Sequence, residues 1–102
     1  MKRKKKEITI KNIAAALRHV FDPEVGFNIV DMGLIYGLEV EKNSVIITLT
    51  YSSPACPLGE VIEHDIRTQM KEYFGVTDIQ LRIIFDPKWS PEMMSKIARD
   101  FM

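Results

Sequence analysis

Thr48-Leu49-Thr50-Tyr51-Ser52-Ser53-Pro54-Ala55-Cys56-Pro57-Leu58-Gly59-Glu60 passes from strand to loop to helix within thirteen residues. Its first residues alternate polar and apolar, the period of a half-buried strand. Two serines and a proline interrupt the alternation. Pro57 suits the first helical position, where an absent N–H has no intrahelical partner and φ is already helical. Cys56, the only cysteine of the chain, then falls at or beside the N-cap. The positive end of a helix favours an anion there. A thiol so placed ionises readily, and the thiolate is both nucleophile and metal ligand. The alternative is a buried cysteine acting as a small hydrophobe; the proline behind it tips the reading toward a working thiol.

Upstream, Leu34, Tyr36, Leu38 and Val40 alternate on one face. Lys42-Asn43-Ser44 reads as a turn, and Val45, Ile47, Leu49 and Tyr51 continue the pattern, so a β-hairpin with one apolar face is expected. Thr48, Thr50 and Ser52 lie on the other face, either as β-formers on a wet surface or as donors directed at the thiol. Downstream, a helix from Pro57 to Tyr73 places Leu58, Val61, Ile62, Ile66, Met70 and Tyr73 toward the core. Glu60, Glu63, His64 and Arg67 fall opposite. With Cys56 they form a set that could hold a metal, but the spacing matches no complete zinc signature and ordinary solvation is the reading preferred. Gly75 stops the helix.

A third strand follows, with Ile79, Leu81, Ile83 and Phe85 alternating. Ser90, Pro91 and Glu92 then begin a third helix whose apolar stripe is Met94, Ile97, Ala98 and Phe101. Trp89 is either a plug at the edge of the core or an exposed anchor for a partner; the plug is the better fit. At the other end, Thr9 caps a first helix carrying Ile10, Ile13, Leu17 and Val20, with Ile8 stapled to Ile13. Pro23 should stop it near Phe21. Asp22-Pro23-Glu24-Val25-Gly26 is a rigid turn, and residues 27–33 form an ordered loop with at most a short strand. Asp22 and Asp31 could bind a cation, but short acids in turns usually cap backbone N–H groups.

The fold class expected is α+β, two-layered, in the order α-β-β-α-β-α. It has a small mixed three-stranded sheet with helices mainly on one face. A crossover makes the third strand parallel to the second, and the simplest arrangement sets it beside the first. Ile35, Ile46 and Ile84 on the other face would need cover from the third helix or a second subunit. Residues 1–8 read as a basic, solvated tail and 9–102 as one domain. Formal net charge is zero, yet Lys2 to Lys6 carry five positive charges, leaving nine basic against fourteen acidic side chains beyond them. A globular part of net charge −5 is a poor phosphate binder, so nucleic acid is not the expected main partner. A single cysteine excludes an internal disulfide and fits a reducing compartment, hence the cytoplasm. No apolar run reaches membrane-spanning length.

Four segments in order carry a family resemblance: Asp22-Pro23-Glu24, Asp31 to Tyr36, Thr50 through Ala55-Cys56-Pro57, and Asp86-Pro87-Lys88-Trp89-Ser90 with Met94-Ser95. Together they resemble the small iron–sulfur assembly family that includes the SufT and PaaD proteins and the eukaryotic cytosolic assembly adaptor. The likeness spans about residues 9–101, with Gly59 standing where alanine is usual. It implies a compact α+β domain that helps mature iron–sulfur or other metalloproteins. The functional groups it implies are the Cys56 thiol and the acids Asp22 and Glu24. Asp31, Thr50, Pro57, Asp86 and Trp89 match as supporting positions. A cluster normally takes four protein thiolates, so one chain is not a complete scaffold. Cys56 is expected to contact iron or a labile cluster only transiently, shared between two subunits or with a carrier or client protein. An assembly or transfer factor without small-molecule turnover is thus the expected function, and a non-catalytic adaptor with a structural Cys56 is the alternative. A thiol hydrolase would need a base near the cysteine, and none is evident.

Overall fold

The computed structural model describes residues 6–53 and 58–101. Helix α1 runs over Ile10–Leu17, two short strands over β1 Phe21–Asp22 and β2 Phe27–Asn28, and the hairpin over β3 Ile35–Glu41 and β4 Ser44–Leu49. Helix α2 follows at Gly59–Phe74 and strand β5 at Asp78–Ile83. A 3-10 turn at Pro91–Met93 leads into α3, Lys96–Phe101.

The main sheet has the order β3-β4-β5, with β4 antiparallel to β3 and parallel to β5. The third main strand therefore lies beside the second, not beside the first as expected. Helix α2 is one crossover long, and its return lays β5 directly on the strand it left. Val45, Ile47 and Leu49 on one face of β4 meet Ile13 and Leu17 of α1 and Ile62, Ile66 and Met70 of α2 in a continuous core. Among the described residues nineteen buried apolar side chains make up this core. At about 25 cal/mol per Å² of apolar surface, their burial is the main favourable term in folding.

Several local expectations need correction. Helix α1 ends at Leu17, four residues before Phe21, because residues 18–19 turn and Phe21 and Asp22 pair with Asn28 and Phe27. Ile10, at its first position, is 55% exposed, and Ala16 takes the inner place. The register of the hairpin shifts between Ile35 and Gly37, so Tyr36 is an extra residue and Ile35 faces Leu49. This bulge removes Tyr36 from the row of Leu38 and Val40 and bends the strand locally. The start of α2 at Gly59 turns Val61 outward, 44% exposed, and brings in Phe74. Strand β5 ends at Ile83, leaving Phe85 exposed. The third helix is split: Met94 is extended, and Ser95 Oγ accepts from the Ala98 N–H to cap α3. Ala98 is buried while Ile97 is 69% exposed.

Other expectations hold. Thr9 Oγ1 accepts from the Asn12 N–H at 3.1 Å as the N-cap of α1, and Ile8 packs against the core. Gly75 ends α2 with φ 68°. The Lys6 N–H donates to the Tyr73 carbonyl at 2.7 Å, tying the start of the described chain to the end of α2. Of the basic tail expected over residues 1–8, residues 1–5 lie outside the described residues, while Lys6 bonds to Tyr73 and Ile8 packs against the core.

Candidate functional site

The segment 27–34 is the point to which most of the singled-out residues attach. Its backbone is pinned from both sides: Ile29 donates to Val20, Leu34 to Ile29, and Thr50 to Leu34 at 2.8 Å. Thr50 is fully buried, so it is a structural link between β4 and this loop rather than part of a wet hydroxyl face. Asp22 is only 2% exposed. Its Oδ1 accepts the Glu24 N–H at 2.9 Å, and its carbonyl takes those of Val25 and Gly26. That is the turn-capping role, and it leaves Glu24 exposed to solvent.

Asp31 is better connected. Its Oδ2 accepts the Asn28 side-chain amide at 2.7 Å, and Asn28 Oδ1 in return accepts the Asp31 N–H at 2.8 Å. Arg18 Nε lies 3.8 Å away. The Asn28 amide, with further help from Ser95 and the Arg18 charge, holds the Asp31 carboxyl below its ordinary range against the opposing effect of burial. The Asp31 carbonyl accepts the Ser95 N–H at 2.7 Å, fastening the C-terminal segment.

That segment is docked at three further points. The Trp89 indole N–H donates to the Met32 carbonyl at 2.7 Å. With its ring half-buried against the core, Trp89 is a plug, as expected. The Tyr36 hydroxyl, displaced from the core row by the bulge, donates to the Pro87 carbonyl at 2.8 Å. Gly33, with φ +77°, lets the Met93 backbone approach so closely that a Cβ would collide with its carbonyl. Ser90 in turn holds the Glu92 carboxyl below its usual range by a side-chain hydrogen bond. Asp86 itself is exposed, preceding a cis proline. Asp22, Asp31, Thr50 and Trp89 are thus gathered on one loop, whereas Glu24 and Asp86 point to water around it.

Cys56 and Pro57 lie outside the described residues. The chain on either side of them is held together. Tyr51 donates its hydroxyl to Glu63 Oε2 at 2.6 Å, and its ring lies against Gly59, where a Cβ would sit 2.9 Å from Cζ. Phe85 tilts against the ring from 6.2 Å. Glu63 and Arg67 are therefore not free groups of a metal set: Arg67 donates to the Ile79 carbonyl at 3.0 Å. His64 is exposed, and among the described residues no three His, Cys, Asp or Glu side chains converge as a metal site. Ser95 was named from the sequence only within a family segment and Glu63 only in a possible metal set; the Asn28–Asp31 brace, the Ser95 cap and the Tyr51–Glu63 bond were not foreseen. Only the helix-capping preference of serine could have pointed to one of them.

The arrangement defines a small two-layer α+β domain in which one pinned loop holds Asp31 and fastens Trp89 and the C-terminal segment. The family described as "Iron-sulfur cluster assembly protein" matches residues 10–81, and the chain belongs to it. It is 36% identical over 91 residues to an Fe-S protein maturation auxiliary factor of Porphyromonas gingivalis, covering 88% of this chain and 87% of that one. It is 35% identical over 81 residues to the Fe-S protein maturation auxiliary factor SufT of Staphylococcus aureus, covering 78% of this chain and 92% of that one. The crystal structure of a domain of unknown function, DUF59, from Bacillus anthracis superposes with a TM-score of 0.86 at 32% identity. That likeness covers 89% of this chain and 88% of the other. No helix among the described residues is long and apolar enough to cross a membrane.

Proposed function

We propose that this chain is an accessory factor of iron–sulfur cluster assembly or transfer that acts in the cytoplasm through Cys56. The observation that carries the reading is the family match, which spans the chain's single cysteine. Relatives covering most of the chain are themselves named Fe-S protein maturation auxiliary factors. Cys56 sits in sequence between Tyr51 and Gly59, which lie against each other. Iron or a labile cluster is then cargo. One thiolate covers a quarter of the usual ligand set, so the cargo is held jointly with a second subunit or with a carrier or client protein. Hand-over is ligand exchange at iron, with Cys56 entering as thiolate and leaving as another protein's thiolate replaces it. No electron changes hands. Asp22 and Asp31 hold the neighbouring loop in shape, and Glu24 and Asp86 lie at its solvent side for contact with a partner.

The test is complementation of a strain depleted of this protein. Cys56→Ser is expected to fail to restore activity of iron–sulfur enzymes while Trp89→Phe largely restores it. The opposite pattern would make the chain an adaptor with a structural cysteine. Anaerobic reconstitution with iron and sulfide, followed by visible absorption and native mass, is expected to give a labile species at fewer than one cluster per chain. A colourless chain that still complements through Cys56 would place the thiol at the client rather than at the cluster.

A further inference from the structure

We propose that the open edge of β3 is a docking strip for an extended protein segment with basic residues at alternate positions, added as a fourth strand. The proposal goes beyond the thiol reading and needs no cluster. In β4 the Leu49 carbonyl accepts from Ile84 on the β5 side. The backbone groups of a strand point to its two sides alternately, so Ser44, Ile46 and Thr48 turn theirs toward β3. Their partners there are Glu41, Glu39 and Gly37. Leu38 and Val40, between them, therefore present N–H and C=O groups at the outer edge.

Among the described residues β3 pairs with β4 alone and forms the edge of its sheet, so those groups have no strand partner. On the opposite edge one outward group is covered, the Ile79 carbonyl of β5, to which Arg67 donates. The side chains flanking the open groups complete the strip. Leu38 and Val40 pack against the core yet are only partly buried, leaving some apolar surface for a neighbour on the inner face. Glu39 and Glu41 are exposed on the outer face, two residues apart, and have no ion pair among the described residues. An incoming strand with Lys or Arg opposite the glutamates and an apolar residue opposite Leu38 and Val40 satisfies all three features. Strand addition of this kind takes affinity from the backbone and selectivity from alternate side chains. A second copy of β3 would bring further glutamates to a strip that is already acidic, which is unfavourable across a strand pair.

The probe is the peptide acetyl-Lys-Val-Lys-Val-Lys-amide, with acetyl-Glu-Val-Glu-Val-Glu-amide as its charge-reversed counterpart, each titrated into the full chain and followed by amide hydrogen exchange. The basic peptide is expected to slow exchange at Leu38 and Val40, and methylation of the peptide amides that face β3 should abolish binding. The double variant Glu39→Lys/Glu41→Lys is expected to bind it roughly tenfold more weakly or worse and to gain binding of the acidic peptide. The proposal is overturned by equal binding of both peptides, by binding that leaves those two amides unprotected, or by no binding of the basic peptide. A free chain that sediments as a dimer with both amides already protected would assign the edge to a second copy instead.

Discussion

Gly33 combines a left-handed φ with a close approach of the Met93 backbone, so alanine is excluded there on two counts. Gly33→Ala is expected to cost about 2–4 kcal/mol, from backbone strain and loss of docking together. Because Trp89 is the only tryptophan and bonds to Met32 beside that glycine, its emission should shift toward that of a solvated indole. Asp31 gives a second prediction. Its carboxyl is held below the ordinary 3.8, chiefly by Asn28, so the folded state takes up a proton less readily than the unfolded one. The stabilisation is complete above the ordinary value and disappears as pH falls through the folded one. Chemical denaturation at stepped pH should show this loss below about pH 4. Asp31→Asn should flatten that part of the profile, and Asn28→Ala should raise the Asp31 pKa seen by NMR.

Gly59, the first residue of α2, shows how a neighbour can override an intrinsic preference. Alanine is ordinarily better than glycine in a helix by about 1 kcal/mol, and alanine is the residue that the family resemblance leads one to expect. Here the Tyr51 ring occupies the space a Cβ would need, and the ring is fixed by its bond to Glu63. Gly59→Ala is therefore expected to lower the melting temperature despite its better propensity, and Tyr51→Leu in the same chain to relieve part of the loss. In the hairpin, Lys42 sits at φ 48°, a conformation that costs a non-glycine residue about 1 kcal/mol. Lys42→Gly is expected to stabilise the chain by a few tenths to 1 kcal/mol, measurable as a shift in the urea midpoint with unchanged slope.

The C-terminal segment is fastened to the loop 27–36 by Ser95, Trp89, Tyr36 and the Met93 contact, and Met94 and Ala98 enter the common core. A domain tied in this way should unfold in one step, with far-ultraviolet dichroism and Trp89 fluorescence giving coincident transitions; an earlier fluorescence transition would show the segment melting by itself. The hairpin, the caps at Thr9 and Gly75, and the inner rows Val45-Ile47-Leu49 and Ile62-Ile66-Met70 were legible in the sequence, because period and capping are local properties of a few consecutive residues. So was the family, through four short segments in fixed order. The tertiary structure alone decided that Tyr36 leaves the core row through a bulge and that Thr50 is buried. It likewise decided that β5 lies on β4, that Ser95 rather than Ser90 caps the last helix, and that Asp31 is braced by Asn28. Each of these depends on contacts between residues distant in sequence or on a one-residue change of register. Periodicity reports which side of an element is apolar; what that side meets is settled only when the elements pack.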